Sequence, residues 1–115
     1  MTRGDIYWAD IAPRSGSEQQ GRRPAVIVSH NIFNRAASWR SLLVVPVTTS
    51  QTQAQRGPTV VRLPAGTGGL GQDSFAICHQ VTTLDRSKLS VKIGTLPAPF
   101  LHAVEDALKA AMDLP

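Results

Sequence analysis

Hydrophobic and polar positions along this chain form runs of four to ten residues, separated by clusters of Gly, Pro and Ser. Six runs predict strands: Ile6 to Ile11, Pro24 to Ser29, Leu42 to Val47, Thr59 to Leu63, Ser74 to Thr83 with a bend, and Leu89 to Ile93. Their β-branched content, as in Ala25-Val26-Ile27-Val28, favours extended backbone. Many short strands punctuated by turn residues predict a mainly β fold, a small barrel or a strongly curved antiparallel sheet. The period changes only at the end of the chain. Phe100, Leu101, Val104, Leu108 and Met112 recur at steps that keep them on one face, which predicts an amphipathic helix from Ala98 to Asp113. Pro97 and Pro99 suit its start, because a proline in the first turn forfeits no helical hydrogen bond. Asn31 to Ser38 has room for a turn or two of helix, while Gln51 to Gly57 and Pro64 to Gly71 read as long surface loops. No repeat or linker divides the 115 residues, so a single domain spans 1–115.

Composition narrows the class. A hydrophobic content of 42% is ordinary for a globular chain and argues against disorder. The longest apolar stretch, Leu42 to Val47, is far short of the roughly 20 residues that span a bilayer, and the polar N-terminus has no signal-peptide core. A soluble cytoplasmic protein with no membrane association is expected. Cys78 is the only cysteine, so no internal disulfide can form, and its apolar setting predicts a buried, inert thiol. His30, His79 and His102 lack metal-ligand spacing, so neither a metal nor another cofactor is expected. Gly66-Thr67-Gly68-Gly69-Leu70-Gly71 fits the dinucleotide pattern G-x-G-x-x-G, but a strand-like segment follows it where a helix is required; it reads as a glycine-rich turn. No nucleophile-elbow pattern surrounds any serine.

Charge adds a direction. The net charge is +4, and residues 1–57 carry seven arginines and no lysine against Asp5, Asp10 and Glu18. The rest of the chain balances. Arginine used without lysine favours directed recognition of phosphate or carboxylate, because the guanidinium fork binds such groups bidentately. Two segments concentrate the polar chemistry: Gly16-Ser17-Glu18-Gln19-Gln20-Gly21-Arg22-Arg23-Pro24 and Val45-Pro46-Val47-Thr48-Thr49-Ser50.

Read in order with Arg3-Gly4-Asp5-Ile6-Tyr7-Trp8, Gly69-Leu70, Asp73-Ser74, Gln80 to Asp85 and Ile93-Gly94-Thr95-Leu96, these segments make nearly the whole chain resemble the bacterial MazF/PemK toxins. These are the ribosome-independent endoribonuclease half of a toxin–antitoxin pair. The resemblance implies an SH3-like barrel with a C-terminal helix, assembled as a homodimer. It also implies sequence-selective, metal-independent cleavage of single-stranded RNA, neutralised by a cognate antitoxin. An acidic, disordered C-terminal segment of that antitoxin would suit the arginine-rich half of this chain.

Arg23 matches the family's catalytic arginine and Thr48 its catalytic threonine, both expected at exposed loop edges. Pro24 biases Arg23 toward extended backbone, which projects its side chain from the start of a strand. Glu18 is the nearest candidate in sequence for a general base, with loop anchoring or pairing with Arg22 as the other reading. Ser17, Gln19, Thr49 and Gln80 are candidates for reading bases or positioning phosphates, since unstacked RNA bases present their edges to amides and hydroxyls. His30 stands where the family more often has asparagine and is expected to be solvated. Trp8 is expected in the core or at a dimer seam, and Trp39 at the surface, packed or stacking on a base. The alternative reading is a gyrase-poisoning or non-catalytic nucleic-acid-binding barrel of the same fold. The chain ends Ala111-Met112-Asp113-Leu114-Pro115, without the C-terminal aromatic that gyrase poisoning implies.

Overall fold

The computed structural model describes residues 1–11, 21–52 and 57–115. Ser17, Glu18 and Gln19 therefore lie outside the described residues. In chain order the elements are β1 (Asp5–Ile11), β2 (Gly21–Ile27), α1 (Asn31–Asn34), β3 (Ser41–Thr48), β4 (Val60–Leu63), β5 (Ser74–Ile77), β6 (Thr82–Asp85), β7 (Leu89–Thr95) and α2 (Ala98–Met112). The seven strands form one antiparallel sheet in the order β4-β5-β3-β2-β1-β7, with β6 also paired to β3. Since β4 and β7 stand at opposite ends of that path, the sheet does not close into a complete barrel.

β3 organises the sheet. One of its edges pairs with β2, while the other is shared, Ser41 to Val44 with β6 and Val47-Thr48 with β5. Pro46 sits where the shared edge changes partner, and a proline has no N–H to give to a ladder. The single bent strand expected over Ser74 to Thr83 is consequently two strands, separated by a 3-10 turn at Cys78–Gln80. Across that turn the register against β3 slips by three residues, from Val47 opposite Ala76 to Val44 opposite Thr82. Periodicity along one strand cannot reveal such a slip, because register is set by pairing with another strand.

Apolar side chains cover both faces of the sheet. Ile6, Val26, Val45, Val47, Leu63 and Ala76 form one cluster under α2, which contributes Val104, Ala107 and Leu108. Ala9, Ile11, Ala25, Ile27, Leu42, Val44 and Leu84 form a second cluster on the other side. β3 supplies both, which explains why its sequence is an unbroken apolar run rather than an alternating one. Each fully buried Val, Leu or Ile contributes about 1.5–3 kcal/mol, so the two clusters together dominate the stability.

α2 departs from its expected face in its last turn, where Met112 is 51% exposed and Leu114 beyond it 54% exposed. Together with Leu43 they border a groove of about 520 Å³ beside the helix end. Cys78 is buried as expected, and that burial pushes its thiol pKa up to about 12.

Candidate active site

The β2–β3 register assembles the two leading candidates. Ala25 lies opposite Pro46 and Val26 opposite Val45. Carrying this register toward the start of β2 and the end of β3 brings Arg23 level with Thr48. Both residues line one cavity of about 480 Å³, and Thr49 joins them at its edge.

Thr48 is only 4% exposed, not at an exposed loop edge as expected. The reason is its place as the last residue of β3, opposite Phe75 of β5. Its hydroxyl accepts a hydrogen bond from the Ser50 N–H at 3.1 Å. A hydroxyl has two acceptor positions and one proton, so this contact fixes the oxygen and leaves the proton to donate elsewhere. Arg23 is half-buried on β2, opposite Ala9 of β1.

The neighbouring arginine has a separate arrangement. Trp8 lies opposite Pro24 in the β1–β2 ladder, so Arg22 is its diagonal neighbour on the same face. The Arg22 guanidinium sits 4.7 Å from the Trp8 ring centroid, in cation–π geometry. Arg22 and Trp8 both line the cavity, and Trp8 is half-buried there rather than in the core.

The glycine-rich turn supplies another wall. Gly68 and Gly69 have φ of 56° and 87° and lie directly against β7. A Cβ on Gly69 would stand 2.6 Å from the Ile93 carbonyl oxygen, and one on Gly94 would stand 2.1 Å from the Gly68 oxygen. Only glycines permit this approach. Asp73 braces the base of the turn, accepting from the Ala65 N–H at 2.8 Å and from Arg62 Nη2 at 3.3 Å. The Ala65 N–H and then Arg62 hold its carboxyl below the usual carboxylate range. The Ser74 hydroxyl donates to the Gln72 carbonyl at 2.9 Å. Leu70, Gly71 and Gln72 are thereby fixed along the cavity, beside Ile93 of β7. Gln72 and this wall were missed from the sequence, where only the glycine run stood out.

Other candidates lie elsewhere or serve the fold. Gln80 is half-buried on the turn between β5 and β6 and does not line this cavity. His30 is exposed but not without a partner: its Nδ1 accepts from the Ile32 N–H at 2.9 Å and caps α1. Trp39 is 45% exposed and leans on Phe33 with ring centroids 4.6 Å apart, so it is both surface and packing. Part of the arginine excess is structural, since Arg3 pairs with Glu105 at 2.9 Å and Arg40 with Asp85 at 3.0 Å. Hydrogen bonds from Ser87 and then Arg40 hold the Asp85 carboxyl well below the usual range. Arg86 donates to the carbonyls of Phe33, Asn34, Ala36 and Trp39 and so closes the end of α1.

Known proteins resemble this chain in sequence and fold. A family model described as PemK-like, MazF-like toxin of type II toxin–antitoxin system matches residues 2–112. Endoribonuclease MazF6 of Mycobacterium tuberculosis is 35% identical over 114 residues, covering 99% of this chain and 98% of that protein. Endoribonuclease EndoA of Bacillus subtilis is likewise 35% identical, over 99% of this chain and 96% of its own. Among solved structures, MazF from Deinococcus radiodurans superposes with a TM-score of 0.79 at 29% identity, covering 99% of this chain and 97% of that one. A mycobacterial endoribonuclease in complex with its cognate antitoxin has the same fold, with a TM-score of 0.79 at 24% identity over 100% of this chain and 97% of that one. With the match running through β1, the Arg23-Pro24 step, Thr48 and α2 alike, the chain belongs to the PemK-like, MazF-like toxins of type II toxin–antitoxin systems.

Proposed function

We propose that this protein is a metal-independent endoribonuclease toxin that cuts single-stranded RNA, mRNA above all, and is held in check by a cognate antitoxin. The observation that carries the reading is the convergence of Arg23 and Thr48, from adjacent strands, on one cavity. Cleavage uses the RNA's own 2'-hydroxyl as nucleophile, attacking the adjacent phosphorus and expelling the 5'-oxygen. The products are a 2',3'-cyclic phosphate and a 5'-hydroxyl. This chemistry needs in-line geometry and donors aimed at the charge that grows on the phosphoryl oxygens. The Arg23 guanidinium is permanently protonated and supplies a bidentate clamp on those oxygens. The Thr48 hydroxyl, fixed by the Ser50 N–H, supplies a neutral donor. Glu18, with Ser17 and Gln19, lies outside the described residues, and its role as general base is carried by the sequence alone.

The protein acts in the cytoplasm as a homodimer. Exposed Leu43, Met112 and Leu114 around the groove at the end of α2 supply apolar surface suited to a second copy. Among the described residues, no helix is long and apolar enough to cross a membrane. Incubation of the purified protein with defined RNA in excess chelator, followed by labelling of new 5' ends, tests the reading. Cutting that persists and leaves 5'-hydroxyl ends is expected; an absolute requirement for Mg²⁺, or intact RNA, would overturn it.

A further inference from the structure

Two aromatic rings stand exposed at the end of β3 opposite to Thr48. Phe33 and Trp39 lean together with centroids 4.6 Å apart and an interplanar angle of 32°, and His30 meets Phe33 edge-on at 6.3 Å. We propose that this ring pair is a stacking platform for single-stranded RNA outside the cut site. The proposal rests on the RNA-cleaving reading and adds to it a second contact for the same strand.

The segment carrying the rings is pinned in place. Arg86, on the turn between β6 and β7, donates to the Phe33 and Trp39 carbonyls at 3.0 Å and to those of Asn34 and Ala36 at 3.1 Å. The buried Asn34 amide donates to the Ser29 carbonyl at 2.7 Å and to Asn31 Oδ1 at 3.0 Å. The Trp39 indole N–H donates to the Ser41 carbonyl, which fixes the tilt of its ring. A platform already ordered loses little freedom when a base stacks on it.

Charge and shape select the ligand. Arg35 and Arg40 belong to the same segment, and the sequence has no acid between Glu18 and Asp73. Arg40 pairs with Asp85, whereas Arg35 is exposed and makes no ion pair among the described residues. Positive charge beside aromatic rings is the combination that binds single strands without reading their sequence. The rings line neither the cavity of about 480 Å³ nor the groove of about 520 Å³. A base stacks on a flat face, while an anchoring side chain of a protein partner needs a pocket to fill.

Reach makes the contact depend on RNA length. β3 runs from Ser41 to Thr48, a span of roughly 23 Å at about 3.3 Å per residue. A strand seated at Thr48 covers that span with about seven nucleotides at a stacked rise of about 3.4 Å.

Two oligoribonucleotides therefore form the test, one trimmed to the mapped cut sequence and one extended on both sides well beyond that reach. Each is used intact for single-turnover cleavage, and with one 2'-deoxy substitution at the cut for binding. Trp39→Ala is expected to bind the long RNA about 5- to 150-fold more weakly, the worth of one stacked base, and to bind and cut the short RNA as wild type does. Trp39→Phe keeps a ring and should recover most of the lost affinity. Unchanged long-RNA binding by Trp39→Ala would overturn the proposal, and the face would pass to a protein partner if that variant instead lost its dimer in sedimentation or its inhibition by the antitoxin. Equal weakening of both RNAs, or a Trp39→Phe protein as weak as Trp39→Ala, would overturn it too, since neither fits stacking outside the cut site. Wild-type cutting of the short RNA leaves the endoribonuclease reading standing in each of these cases; wild-type protein that cuts neither RNA would remove both.

Discussion

Replacing Thr48 separates chemistry from folding. Thr48→Ala removes a hydroxyl that accepts from the Ser50 N–H and a methyl group that is almost wholly buried. A typical hydrogen bond contributes about 0.5–1.5 kcal/mol, and a buried methyl about 0.8 kcal/mol. The variant should lose roughly 2 kcal/mol, lowering Tm by about 6–12 °C for a chain of this size. Against a typical total of about 5–15 kcal/mol, the protein stays almost entirely folded at 25 °C. Loss of a donor aimed at transition-state charge is expected to slow cleavage by about 10²–10³-fold, far more than the folded fraction changes. Thr48→Ser keeps the hydroxyl and loses only the methyl, so it should melt about 3–6 °C low yet cut within tenfold of wild type. Single-turnover cleavage of a labelled RNA, beside thermal melting of the same samples, measures both. A folded Thr48→Ala protein cutting within tenfold of wild type would refute the donor role. A Thr48→Ser protein as slow as Thr48→Ala would show that packing, not the hydroxyl, is what matters.

Arg23→Ala should abolish measurable cleavage with a small change in Tm, and Arg23→Lys should recover little, because a point charge does not reproduce the bidentate fork; substantial activity in the lysine variant, by the same single-turnover assay, would argue against a clamp. Burial pushes the Cys78 pKa up to about 12, so the neutral thiol's contribution to stability is complete below the ordinary thiol pKa and is lost as pH rises from about 9 toward 12. Thiol labelling of native protein near pH 8 should therefore be slow and limited by unfolding; rapid labelling under native conditions would contradict the burial. Hydrogen exchange with the cognate antitoxin bound should show protection of the Ser15 to Arg23 and Thr48 to Arg56 segments, over which an acidic disordered stretch can order itself; protection confined to α2 would refute this mode of inhibition.

Local signals in the sequence are those that depend on one element alone. The step pattern from Phe100 to Leu108 marks α2 because a single helix face meets the sheet, and it fails at Met112, which is exposed and borders the groove beside Leu43. The continuous run from Leu42 to Val47 marks β3, with both faces covered. Arg23 and Thr48 stood out through residue pattern and family resemblance. Their convergence depends on strand register between β2 and β3, which neither segment encodes by itself. The burial of Thr48 was missed for the same reason: its cover comes from Phe75 of β5, distant in sequence.

The glycine run shows how a motif can be rejected correctly and still belong to the site. Gly66 to Gly71 cannot hold a dinucleotide phosphate, because no helix N-terminus follows it. The structure gives its glycines another duty, the close approach of one backbone to another. Gly69 meets Ile93 and Gly94 meets Gly68, so side chains are excluded on both partners of the contact. Without that approach the turn could not lie against β7, and Leu70 and Gln72 would not be held where they line the cavity. A substitution at Gly94, distant in sequence from Arg23 and Thr48, would therefore displace a wall of the site while leaving both residues chemically intact.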